Sequence, residues 1–235
     1  MLDPFRLCVA LGPVVIYLFL LAAINLFRRP LLVSGTRDAA ALGLAVSGLV
    51  FVGPADLFLP VSAWIAFGPF VWVFVIGLYA LALALILLLL RPRLVVYNIS
   101  AQELRPVLAN VAAGLDAEPR WAGNALAMPN LGVQLHLEWA HGMRTVSLIA
   151  TGSRQSHQGW RRLEEALAGE LPAVQVGRNP HAATLLATAV ILGLLLFAAV
   201  FRDPQSVAAS LNGTERSVLE IGRTLRDALR LSQGS

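Results

Sequence analysis

The chain has 235 residues, 57% of them hydrophobic and only 14% charged, where ordinary soluble domains carry about 25% charged residues. That shortfall excludes a plain soluble globule and points to several apolar spans around one modest water-exposed part. The formal charge is +4, yet the arginines scatter instead of forming the stripe that nucleic acid requires, so no nucleic-acid partner is expected.

Every cation is arginine and lysine is absent. With the Ala/Leu/Val bias, this is the coding habit of a GC-rich bacterial genome. One cysteine, Cys8, cannot form an internal disulfide and reads as a small apolar residue at the start of the first apolar run.

A bilayer core of about 30 Å needs roughly 20 apolar residues as helix. Four segments qualify. Leu7 to Phe27 is free of charge and ends on Arg28-Arg29-Pro30. It lacks the small-residue end of a cleaved signal peptide and is read as a retained anchor. Ala39 to Leu59 is Ala- and Gly-rich. Gly43 and Ser47 there form a small-xxx-small pair, and Pro54, Asp56 and Pro60 break its far end. Trp64 to Leu90 is the most apolar, with Gly68-Pro69 marking a kink or the true helix start. Ala182 to Phe201 is the fourth. Arg28, Arg29, Arg37, Arg91, Arg93 and Arg178 flank one side of these spans, which predicts an outside N-terminus and an inside first loop and soluble insert. Arg202 and Arg216 count against that scheme at the tail.

Residues 91–180 change character. Leu94 to Ile99 reads as a strand. Ser100-Ala-Gln-Glu103 spells a capping box, and Leu104, Leu108, Val111 and Leu115 follow at helical spacing, with Pro106 predicting an irregular first turn. Trp121 to Met128 is a weaker strand. Val133, Leu135, Leu137 and Trp139 alternate with Gln134, His136 and Glu138. After a turn at Ala140-His141-Gly142, Val146, Leu148 and Ala150 alternate with Thr145 and Ser147. Aligning the apolar faces predicts Leu137 opposite Val146, Leu135 opposite Leu148, and His136 facing Ser147. Trp160, Leu163, Leu167 and Leu171 mark a second helix, and Ala173 to Val176 a short last strand. This order suits a ferredoxin-like α+β sandwich with both helices on one sheet face. The other face, carrying Gln134, His136, Glu138, Thr145 and Ser147, is left open to water or a partner.

In the tail, Asp203-Pro204 starts a short helix. From Thr214, Val218, Ile221, Leu225 and Ala228 form a narrow apolar seam. Arg216, Glu220, Arg223, Asp227 and Arg230 lie opposite it with alternating sign. The helix could lie on lipid, pack on its own chain or pair with a copy. The narrow seam and balanced charge favour protein packing.

A search for chemistry returns little. His136, Glu138 and His141 lie close together, but zinc wants a further ligand in fixed geometry, and a plain solvated strand face accounts for them. Asp56 is the one acid in the membrane-proximal run and sits at a proline-flanked turn. Ser34 to Asp38 lacks the glycine-lysine pattern of a phosphate loop. No catalytic set, metal site or cofactor is indicated.

The segments RPRLVVYNIS, GVQLHLE, GWRRLEEAL and RDPQSVAASL resemble those of a family of multi-pass bacterial membrane proteins. That resemblance implies the same layout and brings no activity, cofactor or site residue with it.

The sequence therefore predicts four domains: a three-span region (1–90), a soluble α+β domain (91–180), a fourth transmembrane helix (181–202) and an amphipathic helical tail (203–235). The expected home is the bacterial inner membrane, with the soluble domain cytoplasmic. The expected role is a scaffold that offers the sheet face or tail seam to a protein partner or a second copy. The alternative is an accessory subunit of a transporter or channel, using Asp56, Asn25 and small-residue helix faces.

Overall fold

The computed structural model describes residues 4–55, 67–68, 70–139, 144–152, 155–177, 179–205, 207–208 and positions 219, 223 and 226. In chain order its elements are α1 (Pro4–Leu26), β1 (Leu31–Ser34), α2 (Gly35–Val50), α3 (Phe70–Leu89), β2 (Arg93–Tyr97), α4 (Ala101–Leu115), β3 (Arg120–Ala122), β4 (Ala125–Met128), β5 (Val133–Trp139), β6 (Thr145–Ala150), α5 (His157–Glu170) and α6 (Pro180–Arg202). A π-helical turn, Phe51–Ala55, extends α2, and a 3-10 turn, Leu171–Ala173, follows α5.

Among the described residues four helices are long and apolar enough to cross a membrane: α1, α2 with its extension to Gly53, α3 and α6. Their bounds sit within a few residues of expectation, except that α3 starts at Phe70, after Gly68 adopts φ +52°. Of the 20 residues of α3 only Val71 is buried, and Leu81 and Leu88 are 67% and 82% exposed. A helix apolar on every side and largely uncovered by protein is compatible with a lipid surrounding and not with water.

The chain divides into two compact units. The first comprises residues 1–16, 43–85 and 190–235. Within it α2 approaches its neighbours through glycines. A Cβ on Gly43 would lie 2.6 Å from Leu83 Cδ1, and one on Gly48 would lie 2.0 Å from the Val9 carbonyl oxygen. The Tyr79 hydroxyl donates to the Gly43 carbonyl at 2.6 Å, and its ring meets Phe51 edge-on at 5.3 Å. Gly43 and Ser47 do not act as a pair: Ser47 bonds back to the Leu44 carbonyl, and the second close approach is made by Gly48.

The second unit comprises residues 17–42 and 86–189 and holds one antiparallel sheet in the order β1-β2-β6-β5-β4-β3. One face packs on α4 and α5. Leu104, Leu108, Val111, Trp160, Leu163 and Leu167 meet Leu94, Val96, Leu126, Met128, Val133, Leu135, Leu137, Val146 and Leu148 in a single core. Each helix has a side-chain cap: Ser100 accepts from the Glu103 amide and Ser156 from the Gly159 amide. The capping box at Ser100 and Glu103 is complete, and α4 runs unbroken past Pro106. The carbonyl deprived of a donor there belongs to Gln102, which is exposed to solvent.

Several expectations are corrected. The segment between α1 and α2, read as a loop, is strand β1, paired antiparallel with β2 from Leu31↔Tyr97 to Ser34↔Leu94. Ala173 to Val176 forms no strand; the chain makes a 3-10 turn because Pro172 opens it. Trp121 to Met128 is two strands, a hairpin turned at Gly123-Asn124 with Gly123 at φ +60°. The β5–β6 register is shifted by two: Leu137 faces Leu148, Leu135 faces Ala150, Trp139 faces Val146, and His136 faces Ile149 rather than Ser147. The sheet repeat is two, so a two-residue slip leaves every side chain on its proper face and the apolar pattern cannot distinguish the registers.

Candidate functional site

The open sheet face is less open than its composition implies. Gln134 and Glu138 are exposed on β5, while His136, Thr145 and Ser147 are half-buried. His136 sits between Ala125 and Ile149, Ser147 between Val95 and Glu138, and Thr145 beside Tyr97. Val95 lies on this same face and is only 3% exposed. His141 and the seam Val218, Ile221, Leu225 and Ala228 fall outside the described residues, as does Asp56. Among the described residues no three His, Cys, Asp or Glu side chains could share a metal ion.

A polar junction, not read from the sequence, occupies this face at β2. Asp38, in the first turn of α2, accepts from Arg93 Nη2 at 2.9 Å and from the Tyr97 hydroxyl at 2.5 Å. Tyr17, on α1, interacts electrostatically with the Tyr97 hydroxyl. Burial, then the Asp38 hydrogen bond and charge, push the Tyr97 hydroxyl far above its ordinary range, so it remains a donor at every physiological pH. The backbone of Gly35 completes the junction: a Cβ there would fall 1.9 Å from Arg93 Cγ, so the arginine stem needs the space glycine leaves.

Three buried asparagines continue the connection. Asn179 Nδ2 donates to Asn25 Oδ1 at 2.6 Å, Asn25 donates to the Leu21 carbonyl, and Asn98 donates to the Phe27 carbonyl. Asn179 also caps α6 by accepting from the His181 amide, with Pro180 at the first helical position. Asn98 holds φ +60°, a left-handed conformation that asparagine tolerates better than other non-glycine residues. The Val176 amide donates to the Arg28 carbonyl. Pairing asparagines at this depth removes amide groups that would otherwise be costly to bury.

This arrangement is a fastener. It offers no free nucleophile, since Tyr97 is held protonated and Asp38 is occupied by a cation and a hydroxyl. Asp38→Ala should destabilise the intact chain by about 1–3 kcal/mol and Tyr97→Phe by about 1 kcal/mol, the loss of hydrogen bonds to a charged group. The double variant should lose less than the sum, because both remove one shared bond. Thermal melting of the three variants in detergent checks this, and strict additivity would refute the coupling.

Two further acids stand at the two ends of α4. Asp116, 3% exposed, accepts from the amides of Glu118, Asn130 and Leu131 and from Asn130 Nδ2. Burial opposes its charge, but these donors outweigh it and hold its pKa below the ordinary 3.8. Glu103 is likewise disfavoured by partial burial but is lowered on balance from 4.5 by Arg144 and Ser100. Groups with depressed folded pKa stabilise the fold above their unfolded values and lose that effect as pH falls through the folded ones. The urea midpoint should therefore be flat across neutral pH and fall between about pH 5 and pH 3. The fall should be smaller in Asp116→Asn; a midpoint that rises on acidification contradicts the assignment.

Along α4, the Arg105 guanidinium lies 5.1 Å over the Trp121 ring and donates to the Gly123 carbonyl, fastening the β3–β4 hairpin to that helix. Asp38, Arg93 and Tyr97 were missed because their pairing depends on β1, which the sequence does not announce. The one available signal was an acid, Asp38, placed where an apolar span begins. Comparison with protein families, characterised proteins and solved structures finds no match to this chain.

Proposed function

We propose that the chain is a scaffold of the bacterial inner membrane that presents an α/β domain at the cytoplasmic surface to a protein partner or a second copy. The observation carrying this reading is the fastening of the sheet to α1 and α2: β1 joins those helices directly, and Asp38 binds β2 through Arg93 and Tyr97. The transporter-subunit reading loses support, because Asn25, which it would use, has its amide committed to Asn179 and Leu21.

We read the domain as a ferredoxin-like split βαβ sandwich. In support, the order β2, β6, β5 is the one expected for the first, third and second strands of such a sandwich, and β1 occupies the place beside β2 where its last strand would lie. The cytoplasmic side follows from the arginines near the span ends.

Purification of the full chain in mild detergent should return a stoichiometric partner or a defined oligomer. A chain that is monomeric and alone, yet moves solute in liposomes, overturns the scaffold. In a Cys8-free background, cysteine at Gly169, which is exposed on α5, should resist an impermeant thiol reagent in intact cells, while cysteine at Ala63 should label. Labelling at Gly169 without lysis reverses the orientation.

A further inference from the structure

We propose that four arginines, Arg28, Arg29, Arg37 and Arg91, form a binding belt for the headgroups of anionic phospholipids. The inference rests on the membrane reading above and adds a lipid to it. All four are exposed and lie in the same compact unit. None has a side-chain partner among the described residues.

Their place at the lipid boundary follows from the residues that precede them. At the end of α1, Leu26 and the following Phe27 are 67% and 69% exposed immediately before Arg28 and Arg29, and on α3, Leu88 and Leu89 are 82% and 74% exposed just before Arg91. Exposed apolar side chains giving way to exposed cations within three residues mark the step from acyl chain to headgroup. Arg37 is exposed in the first turn of α2, where unpaired amides also favour an anion.

The fold gathers these ends. β1 carries the chain from Arg29 to Arg37 while paired with β2, which begins two residues after Arg91. The Asp38–Arg93 bond at 2.9 Å draws the neighbours of Arg37 and Arg91 together. In residues 17–42 and 86–102 the sequence contains one acid, Asp38, and its carboxylate is taken by Arg93 and Tyr97. Among the described residues the four cations thus pair with no carboxylate, and a phosphodiester at the bilayer surface complements them in charge and in bidentate geometry.

The test is lipid binding to the full chain in uncharged detergent, read by native mass spectrometry with phosphatidylglycerol, phosphatidylcholine or inorganic phosphate added. Phosphatidylglycerol should bind at least about tenfold more tightly than phosphatidylcholine, since each arginine near an anionic surface contributes about fivefold. Added salt should erode the preference. Changing Arg28, Arg29, Arg37 and Arg91 together to glutamine should abolish it, the four lysine replacements should keep most of it, and Arg161→Gln with Arg162→Gln should leave it unchanged. Equal binding of the two lipids overturns the proposal, as does a glutamine variant with its preference intact. Competition by millimolar phosphate would instead assign a soluble anion and overturn the lipid. Should the glutamine variant fail to fold by its melting midpoint, the salt titration of the unaltered chain decides: a salt-independent preference overturns the proposal. A chain that inserts and captures its partner but shows no lipid preference loses this proposal alone.

Discussion

Leu148→Ala should lower the stability of the α/β unit by about 2–5 kcal/mol, the range for deleting a buried leucine side chain and leaving a cavity. Leu148 has no exposed surface. It sits mid-sheet on β6, paired with Leu94 of β2 on one side and Leu137 of β5 on the other, and shares its core with α4 and α5. Neighbours held on both sides by strand pairing cannot collapse into the gap, which argues for the upper half of the range. His136→Ala, on the opposite face, should change stability by about 0.5 kcal/mol or less. Urea unfolding of both variants at unchanged slope reads the difference. A mild effect at Leu148 would mean that the core is looser than its complete burial states.

Gly48→Leu should produce the largest defect among the apolar helices. A Cβ at Gly48 would lie 2.0 Å from the Val9 carbonyl oxygen and 2.9 Å from that of Ala10. These are backbone atoms, so no rotamer change can relieve the clash, and α1 and α2 must separate. Small residues let membrane helices approach closely, and packing is what holds them together in lipid. Overpacking of this kind typically costs about 1–3 kcal/mol, and a rigid backbone obstacle places the variant at or above the top of that range. Gly77→Leu is the control, because nothing lies within 4 Å of a Cβ there. The melting midpoint in detergent should drop for Gly48→Leu and hold for Gly77→Leu; equal midpoints would refute the contact.

Much of this architecture is written in local patterns. The apolar runs specify their helices through length alone, the capping box at Ser100 and Glu103 marks the start of α4, and the alternation in β5 and β6 assigns each side chain its face. What escaped reading has a common physical cause. The four residues Leu31 to Ser34 are too few to carry a strand signal, and their partner β2 comes only after two apolar helices. The register of β5 on β6 was missed by a shift that alternation cannot detect. Gly123-Asn124 carried a turn signal that was submerged by the apolar residues around it. The junction of Asp38, Arg93 and Tyr97 draws on one strand and a helix more than fifty residues apart in sequence, so no single segment could reveal it. The proposed surface residues Gln134, His136, Glu138, Thr145 and Ser147 do share one face, but Val95 beside them is covered.

The place of β1 also decides what happens if the domain is cut free. A fragment beginning at Arg91 would retain the core between the sheet and its two helices but would lack the strand that pairs Leu94 to Tyr97. The bare edge of β2 would then present unpaired amides and carbonyls, a template for another strand. During synthesis the same edge is completed by residues made earlier and still anchored between two membrane-length helices, a long loop whose closure is entropically slow. The anchored segment thus serves as an intramolecular guard of the β2 edge against strand exchange between copies, and the outer strand beyond β2 is held by the helices that deliver it.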